Sequence, residues 1–210
     1  EEAVQAGVRI EKIFALESYR DQLDDFPQTI WVSEEILLDL ADTQTPQGIV
    51  AVIQKEEVGL PDFSQGKFLF LEDVQDPGNV GTMIRTADAA GFTGVIVSDK
   101  SADIHSLKTL RSMQGSHFHL PIYRMTPADF VEEAKKSNLP ILATTLSRDS
   151  KDYREISSLE NFVLVMGNEG QGISSVMAES ADQLVHIGMK GRAESLNVAV
   201  AAGILMFYFS

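Results

Sequence analysis

Cysteine is absent from this 210-residue chain. Its absence excludes disulfides, thiolate metal sites and a cysteine nucleophile, and it indicates either a reducing compartment or indifference to the redox state. We expect the cytoplasm. The four histidines show neither HxxxH nor HExxH spacing, so we expect no metal, and we assign His117 and His119 to one face of a short strand. No signal peptide and no apolar run long enough to span a bilayer is visible, so we expect no membrane partner.

Basic residues are scarce. The chain has 17 Lys and Arg against 31 Asp and Glu, a net charge of −14 that at face value argues against a polyanionic partner. The imbalance is concentrated in residues 1–66, with four basic and fourteen acidic side chains, whereas residues 67–210 carry thirteen and seventeen. The second part of the chain therefore remains open to a nucleic-acid partner.

The domain organisation follows from a stretch with little apolar periodicity. Residues 56–66 contain Gly59, Pro61 and Gly66 among charged residues, and this composition indicates a linker. Before it, residues 1–55 show short apolar strands and helices typical of a small α/β module. The chain begins without Met, and we expect this module to lack its beginning.

After the linker, residues 67–210 alternate apolar runs with predicted helices. Runs that are apolar on both faces favour a parallel sheet covered on both sides, and their alternation with helices indicates a doubly wound α/β domain. The runs are FLFL (68–71), GVIV (94–97), ILATT (141–145), FVLVM (162–166) and LVHI (184–187). The predicted helices span residues 79–90, 106–113, 126–137 and 198–209.

Three of these strands end in loops rich in glycine and polar residues, at 72–81, 167–172 and 188–197. Ligands of such sheets bind beyond the carboxyl ends of the strands, so these loops form the candidate site. Neither of the first two loops matches GxGxxG, and GxxxxGK[ST] occurs nowhere in the chain, which disfavours a dinucleotide or ATP site.

A purely structural interpretation of the same loops is also available. Asn79 and Ser195 are residue types that cap helix N-termini, and Gly78 and Gly81 suit a tight turn. The small residues of the last helix, around Gly203, would then only allow another backbone to approach closely.

Taken together, the loops resemble a known family. Asn79-x-Gly81-x-x-x-Arg85-x-Ala87, Gly167-x-Glu169-x-x-Gly172 and Ser195-Leu196-Asn197-x-Ala199-x-Ala201 are similar to the three motifs of the SpoU/TrmH methyltransferases of the SPOUT superfamily. The resemblance covers residues 67–210, and residues 1–54 resemble the later part of the family's small RNA-binding domain. It implies a parallel-sheet α/β/α domain with a C-terminal trefoil knot, assembled as a homodimer.

The resemblance also implies transfer of methyl from S-adenosylmethionine to a ribose 2′-hydroxyl of RNA. Arg85 matches the family's catalytic arginine, which is sometimes described as a general base. We prefer a role in which Arg85 orients the hydroxyl and stabilises developing negative charge, because a charged guanidinium has no acceptor for a proton. The implied catalytic residues are Arg85, Asn79, Glu169, Ser195 and Asn197. The implied cofactor-binding residues are Thr144, Thr145, Gly167, Ile187, Met189, Ser195 and Leu196. The candidate RNA-binding residues are Lys108, Arg111, Lys190 and Arg192.

Ribosomal RNA is the favoured substrate, because an N-terminal recognition module precedes the catalytic domain. The alternatives are a tRNA 2′-O-methyltransferase, a catalytically silent RNA-binding or assembly protein, and a generic small-molecule α/β binding protein. The intact motif residues argue against the silent protein, and binding of S-adenosylmethionine would separate the last alternative from the others.

Overall fold

Two units make up the chain, residues 1–57 and residues 58–210. The computed structural model describes residues 2–41, 43, 45–55, 58–157 and 159–210. Three residues of the predicted first module, two of the predicted linker and one further residue lie outside this description. They are Glu1, Asp42, Gln44, Glu56, Glu57 and Ser158.

The first unit is a three-stranded sheet with two helices. Its elements are α1 (Glu2–Gln5), β1 (Ile10–Ala15), β2 (Thr29–Trp31), α2 (Glu34–Ala41) and β3 (Ile49–Ile53), with a 3-10 helix at Glu17–Gln22. The sheet order is β2-β1-β3, with β1 parallel to β2 and antiparallel to β3. Ile13, Ala15 and Leu23 form its small buried cluster.

The second unit contains a seven-stranded parallel sheet with the order β6-β5-β4-β9-β7-β10-β8. The strands are β4 (Lys67–Leu71), β5 (Gly94–Val97), β6 (Ile122–Arg124), β7 (Ile141–Thr144), β8 (Lys151–Asp152), β9 (Phe162–Met166) and β10 (Gln183–His186). The helices are α3 (Pro77–Ala89), α4 (Leu107–Met113), α5 (Pro127–Lys136), α6 (Ser175–Ser180) and α7 (Val198–Phe209). No helix in the described ranges is long and apolar enough to cross a membrane.

Alternate residues of each central strand enter different cores. In β4, Leu69 and Leu71 pack into one hydrophobic cluster with α3 and α7, whereas Phe68 and Phe70 pack into another with α5. The prediction of a parallel sheet covered on both faces is thus confirmed.

The order of the strands positions the site. Strand β9, although late in the chain, inserts between β4 and β7 and pairs with both. The loops that follow β4 and β9 are therefore neighbours at one edge of the sheet, beside the ends of β7 and β10. This edge is where ligands of open parallel sheets bind.

The strand predicted for His117 and His119 is wrong. Residues Ser116–Phe118 form a 3-10 helix instead. Gln114 and Gly115 both adopt left-handed φ angles, 47° and 89°, which reverse the chain directly after α4. The backbone N–H of His119 then bonds the carbonyl of Ser116 at 3.0 Å, a contact of a tight turn rather than of a sheet.

The structural interpretation that placed Gly81 in a tight turn is also wrong. It lies inside α3, where an added Cβ would lie 2.6 Å from the carbonyl oxygen of Thr109 in α4. Only glycine permits this close packing of α3 against α4. At Gly203 of α7 the contact is ordinary, since an added Cβ would lie 3.7 Å from the methyl group of Thr86.

Candidate active site

The loop after β4 delivers its polar residues to the N-terminus of α3. The N-cap is Asp76 rather than Asn79, and its carboxylate accepts the Asn79 backbone N–H at 2.8 Å. Pro77 at the first helical position needs no donor partner, so the helix begins there. The side-chain hydrogen bond from Lys108 to Asp76, 2.9 Å long, is the main cause that lowers the pKa of the Asp76 carboxyl.

Glu169, in the loop after β9, binds back to this helix start. Its carboxylate accepts the backbone N–H groups of Gln75 at 3.3 Å and Asp76 at 3.2 Å, and the Asn79 amide at 3.1 Å. Partial burial of the carboxyl raises the pKa of Glu169, but the hydrogen bonds from Asn79 and from the backbone outweigh it, so the pKa is lowered. Glu169 is thus held as an anion.

Asn197 joins the third loop to the same point. It is the N-cap of α7, in place of the Ser195 of the structural interpretation, and accepts the N–H groups of Ala199 at 2.9 Å and Val200 at 3.3 Å. Its amide nitrogen donates to the Asn79 side-chain oxygen at 3.1 Å.

The amide orientation of Asn79 follows from these partners. A carboxylate only accepts, so Asn79 must turn its nitrogen to Glu169 and its oxygen to Asn197. One side chain therefore connects all three motif loops.

Two residues that the sequence analysis did not select hold the loops together. Asn168 donates to the carbonyl of Asp73 at 2.8 Å and accepts the N–H groups of Gly170 and Gln171, both at 2.9 Å. Glu72, only 2% exposed, accepts the Ser174 N–H at 3.0 Å. A charged residue that directly follows an apolar strand was the available signal for Glu72.

Gly167 is required by the shape of its loop. An added Cβ would lie 2.3 Å from the carbonyl carbon of Gly172 and 2.5 Å from the nitrogen of Ile173, both backbone atoms. The loop folds over itself here, with reciprocal backbone hydrogen bonds between Asn168 and Gly172. A larger residue would have to open it.

A cleft of about 830 Å³ lies between these loops and the ends of β7, β9 and β10. This volume lies within the range of small-molecule sites. All seven predicted cofactor-binding residues line it, and so do two more of the catalytic set, Glu169 and Asn197. The seven are Thr144, Thr145, Gly167, Ile187, Met189, Ser195 and Leu196.

Arg85 lies apart from the cleft. It is exposed on α3, six residues or about 9 Å along the helix axis from Asn79. Within the described part of the chain it has no hydrogen bond or ion pair, so its guanidinium is available to a ligand.

The predicted RNA-binding residues occupy two places. Lys108 and Arg111 are exposed on α4, where Lys108 already pairs with Asp76. Lys190 and Arg192 are exposed on the loop that borders the cleft. Among the residues that the structure describes, no group of three or more His, Asp or Glu could hold a metal ion.

Comparison with known proteins follows the division into two units. The sequence model of the SpoU rRNA methylase family matches residues 66–207, and that of the RNA 2′-O ribose methyltransferase substrate-binding domain matches residues 1–58. The chain is 40% identical, over 99% of its length and 84% of the relative's, to the 23S rRNA (guanosine(2553)-2′-O)-methyltransferase RlmP of Bacillus subtilis.

Two solved structures bound to AdoMet are similar to the whole chain. The rRNA methyltransferase of Sinorhizobium meliloti superposes with a TM-score of 0.87 at 33% identity, covering 98% of this chain and 81% of that one. The SpoU methyltransferase AviRb of Streptomyces viridochromogenes superposes with a TM-score of 0.83 at 30% identity, covering 98% and 84%.

Proposed function

The chain belongs to the SpoU rRNA methylase family, and on that premise we propose that it transfers the methyl group of S-adenosylmethionine to a ribose 2′-hydroxyl of RNA. The observation that carries the proposal is the junction at Asn79, where the three motif loops meet beside the cleft. Only RNA offers this hydroxyl, so RNA rather than DNA is the substrate.

The lining of the cleft fits this cofactor. Ile187, Met189 and Leu196 supply apolar walls for an adenine ring, and Thr144 and Thr145 supply hydroxyl groups. The tight Gly167 loop brings backbone groups to the cleft surface, so that the base can be held without a charged side chain.

When bound, the cofactor supplies a methyl group on a positively charged sulfur. Asn79, fixed by Glu169 and Asn197, holds the loops that face the ribose. Arg85 orients the 2′-hydroxyl and stabilises its developing negative charge as the proton leaves. Ser195, beside Asn197 on the cleft wall, helps to position the loop.

A homodimer is part of the proposal, because α7 is apolar on both sides. Val200, Ile204, Phe207 and Tyr208 repeat at helical spacing and are 37–58% exposed, opposite the buried side of the helix. A second copy covering this stripe would remove it from water. Because α3 packs on α7 through Thr86 and Gly203, Arg85 would then lie near the subunit interface.

The finer expectations from the sequence remain in the proposal. We place RNA recognition in residues 1–55 and along the cleft border at Lys190 and Arg192, with residues 56–66 as a linker and residues 67–210 as the catalytic domain. A knotted C-terminus would bring the loops after β7, β9 and β10 to one cleft. We also propose ribosomal RNA as the preferred substrate and the cytoplasm as the location.

Titration calorimetry with S-adenosylmethionine tests the cofactor site. We expect micromolar binding, about 8 kcal/mol, that Leu196→Trp abolishes because the indole fills the cleft. Leu107→Trp is the matched control, since Leu107 is 40% exposed, close to the 37% of Leu196, but does not line the cleft. A folded wild-type protein that shows no binding would favour the catalytically silent RNA-binding protein instead.

Transfer of labelled methyl to purified RNAs tests the reaction. We expect label in ribosomal RNA, in a dinucleotide that resists alkaline cleavage because its 2′-oxygen is blocked. Label in tRNA alone would favour the tRNA alternative, and label in an alkali-sensitive nucleotide would contradict ribose methylation.

A further inference from the structure

The ionisable side chains that line the cleft are two carboxylates and one histidine, His186, which bonds the Ser150 hydroxyl at 2.9 Å. Glu169 and Glu194 are its two carboxylate residues, and none of the described lining residues is Lys or Arg. Lys190 and Arg192 belong to the same loop as Glu194 but do not line the cleft. An occupant would therefore experience a field that favours positive charge.

The two carboxylates differ in their bonding. Glu169 is saturated by the donors of Gln75, Asp76 and Asn79. Glu194 is exposed and has no hydrogen bond or ion pair within the described residues. Its charge is thus not engaged by the protein, and the fold of the loop gives no reason for a carboxylate at this position.

Glu169 lies at the end of the cleft that borders Asn79, and Glu194 lines the cleft from the loop that leads to Asn197. Glu169 binds Asn79 directly, and Glu194 precedes Asn197, the other partner of Asn79, by three residues. Our proposed mechanism places the ribose beside Asn79 and α3, so the transferred methyl group belongs at this end of the cleft. With the sulfur at this end, its positive charge would lie in the field of the carboxylates that line the cleft.

We propose that Glu194, together with Glu169, selects S-adenosylmethionine over S-adenosylhomocysteine by charge, which favours replacement of the bound product by fresh cofactor. This inference rests on the proposed function of the cleft. Transfer breaks the S–CH₃ bond, forms an O–CH₃ bond and turns the sulfonium into a neutral thioether, while the hydroxyl proton leaves to solvent. The ligand's net charge falls from +1 to 0, and the attraction to the carboxylates is lost.

Calorimetry with both ligands on the whole chain tests the inference. We expect the wild type to bind S-adenosylmethionine about fivefold more tightly than S-adenosylhomocysteine, roughly 1 kcal/mol. Glu194→Gln should lower this ratio about threefold by weakening the cofactor, with less than about a twofold change for the product. Glu194→Lys should lower it further. Raising NaCl from about 50 to 500 mM should reduce the wild-type ratio, since salt screens exposed charges.

Glu179→Gln is the matched control, because Glu179 is an exposed glutamate on α6 that does not line the cleft. It should leave the ratio unchanged. In an analogue of S-adenosylmethionine, a protonated amine replaces the sulfonium. The affinity of this analogue should change in each variant as the affinity of S-adenosylmethionine does. Such a result would show that the variants act on the ligand's charge and not on contacts with its methyl group.

An unchanged ratio in Glu194→Gln, or equal weakening of both ligands, would overturn the inference and leave the cofactor site intact. Failure of the wild type to bind either ligand would instead overturn the proposed function, and the inference with it.

Discussion

Replacing Gly167 by alanine should open the loop on which the cleft depends. The new methyl group would lie 2.3 Å from the carbonyl carbon of Gly172, 2.6 Å from its oxygen and 2.5 Å from the nitrogen of Ile173. All three are backbone atoms, so no flexible side chain can move aside. The loop must widen by about 1 Å to restore ordinary contact distances.

The cost follows from what such widening breaks. The backbone hydrogen bonds Asn168 N–H to Gly172 O, 3.0 Å, and Gly172 N–H to Asn168 O, 2.9 Å, span the loop at the same place. Each contributes about 1 kcal/mol, and overpacking costs a further 1–3 kcal/mol or so. We expect Gly167→Ala to destabilise the protein by roughly 3–5 kcal/mol and to weaken cofactor binding.

Urea unfolding, with calorimetry of cofactor binding on the folded variant, measures both effects. Gly170→Ala is the control from the same loop, because its Cβ would approach nothing closer than Asn168 Oδ1 at 3.7 Å. It should change stability by less than about 0.5 kcal/mol. Equal stability of the two variants would refute the reasoning from backbone contact.

Two further predictions concern charge and assembly. Glu169→Gln should cost about 1 kcal/mol at pH 7, because an exposed carboxylate loses charge-assisted hydrogen bonds. Because folding lowers the pKa of Glu169, its carboxylate stabilises the protein above the ordinary pKa of 4.5, and this stability is lost as the pH falls through the folded-state pKa. Urea unfolding should therefore show a smaller difference in stability between the wild type and Glu169→Gln near pH 3.5 than at pH 7. A difference that does not change with pH would contradict this. The proposed homodimer predicts that Phe207→Glu is a monomer in sedimentation, whereas Val176→Glu, also at an exposed apolar residue, remains a dimer. A dimer of Phe207→Glu would contradict the assignment of α7 to the interface.

The sequence by itself determined the sheet and its coverage. The central strands are continuous apolar runs because both faces of the sheet are buried. Leu69 packs into the core on one face and Phe70 into the core on the other, so the run itself predicts a sheet that is covered on both sides. Glycine at 167 and the amide at 197 also answer local requirements of a loop and a helix start, whereas the three loops as a set were recognised by their resemblance to a family.

Short edge elements escaped the sequence analysis. Ile122–Arg124 and Lys151–Asp152 have too few residues for a period to emerge, and they pair only at the margins of the sheet. The cap positions were misassigned because Asp76 and Asn79, like Ser195 and Asn197, are all residue types that can cap a helix. Only the backbone path decides which of them lies at the helix start.

The assembly of the site was decided by tertiary structure alone. Asn79, Glu169 and Asn197 lie far apart in sequence and meet because β9 inserts beside β4, a choice of strand order that local patterns do not encode. Among the described residues, Glu194 lines the cleft and Arg85 does not. The sequence specifies which polar and charged side chains the loops carry. The pairing of strands that are distant in sequence determines which of these side chains lie close enough to bind the same ligand.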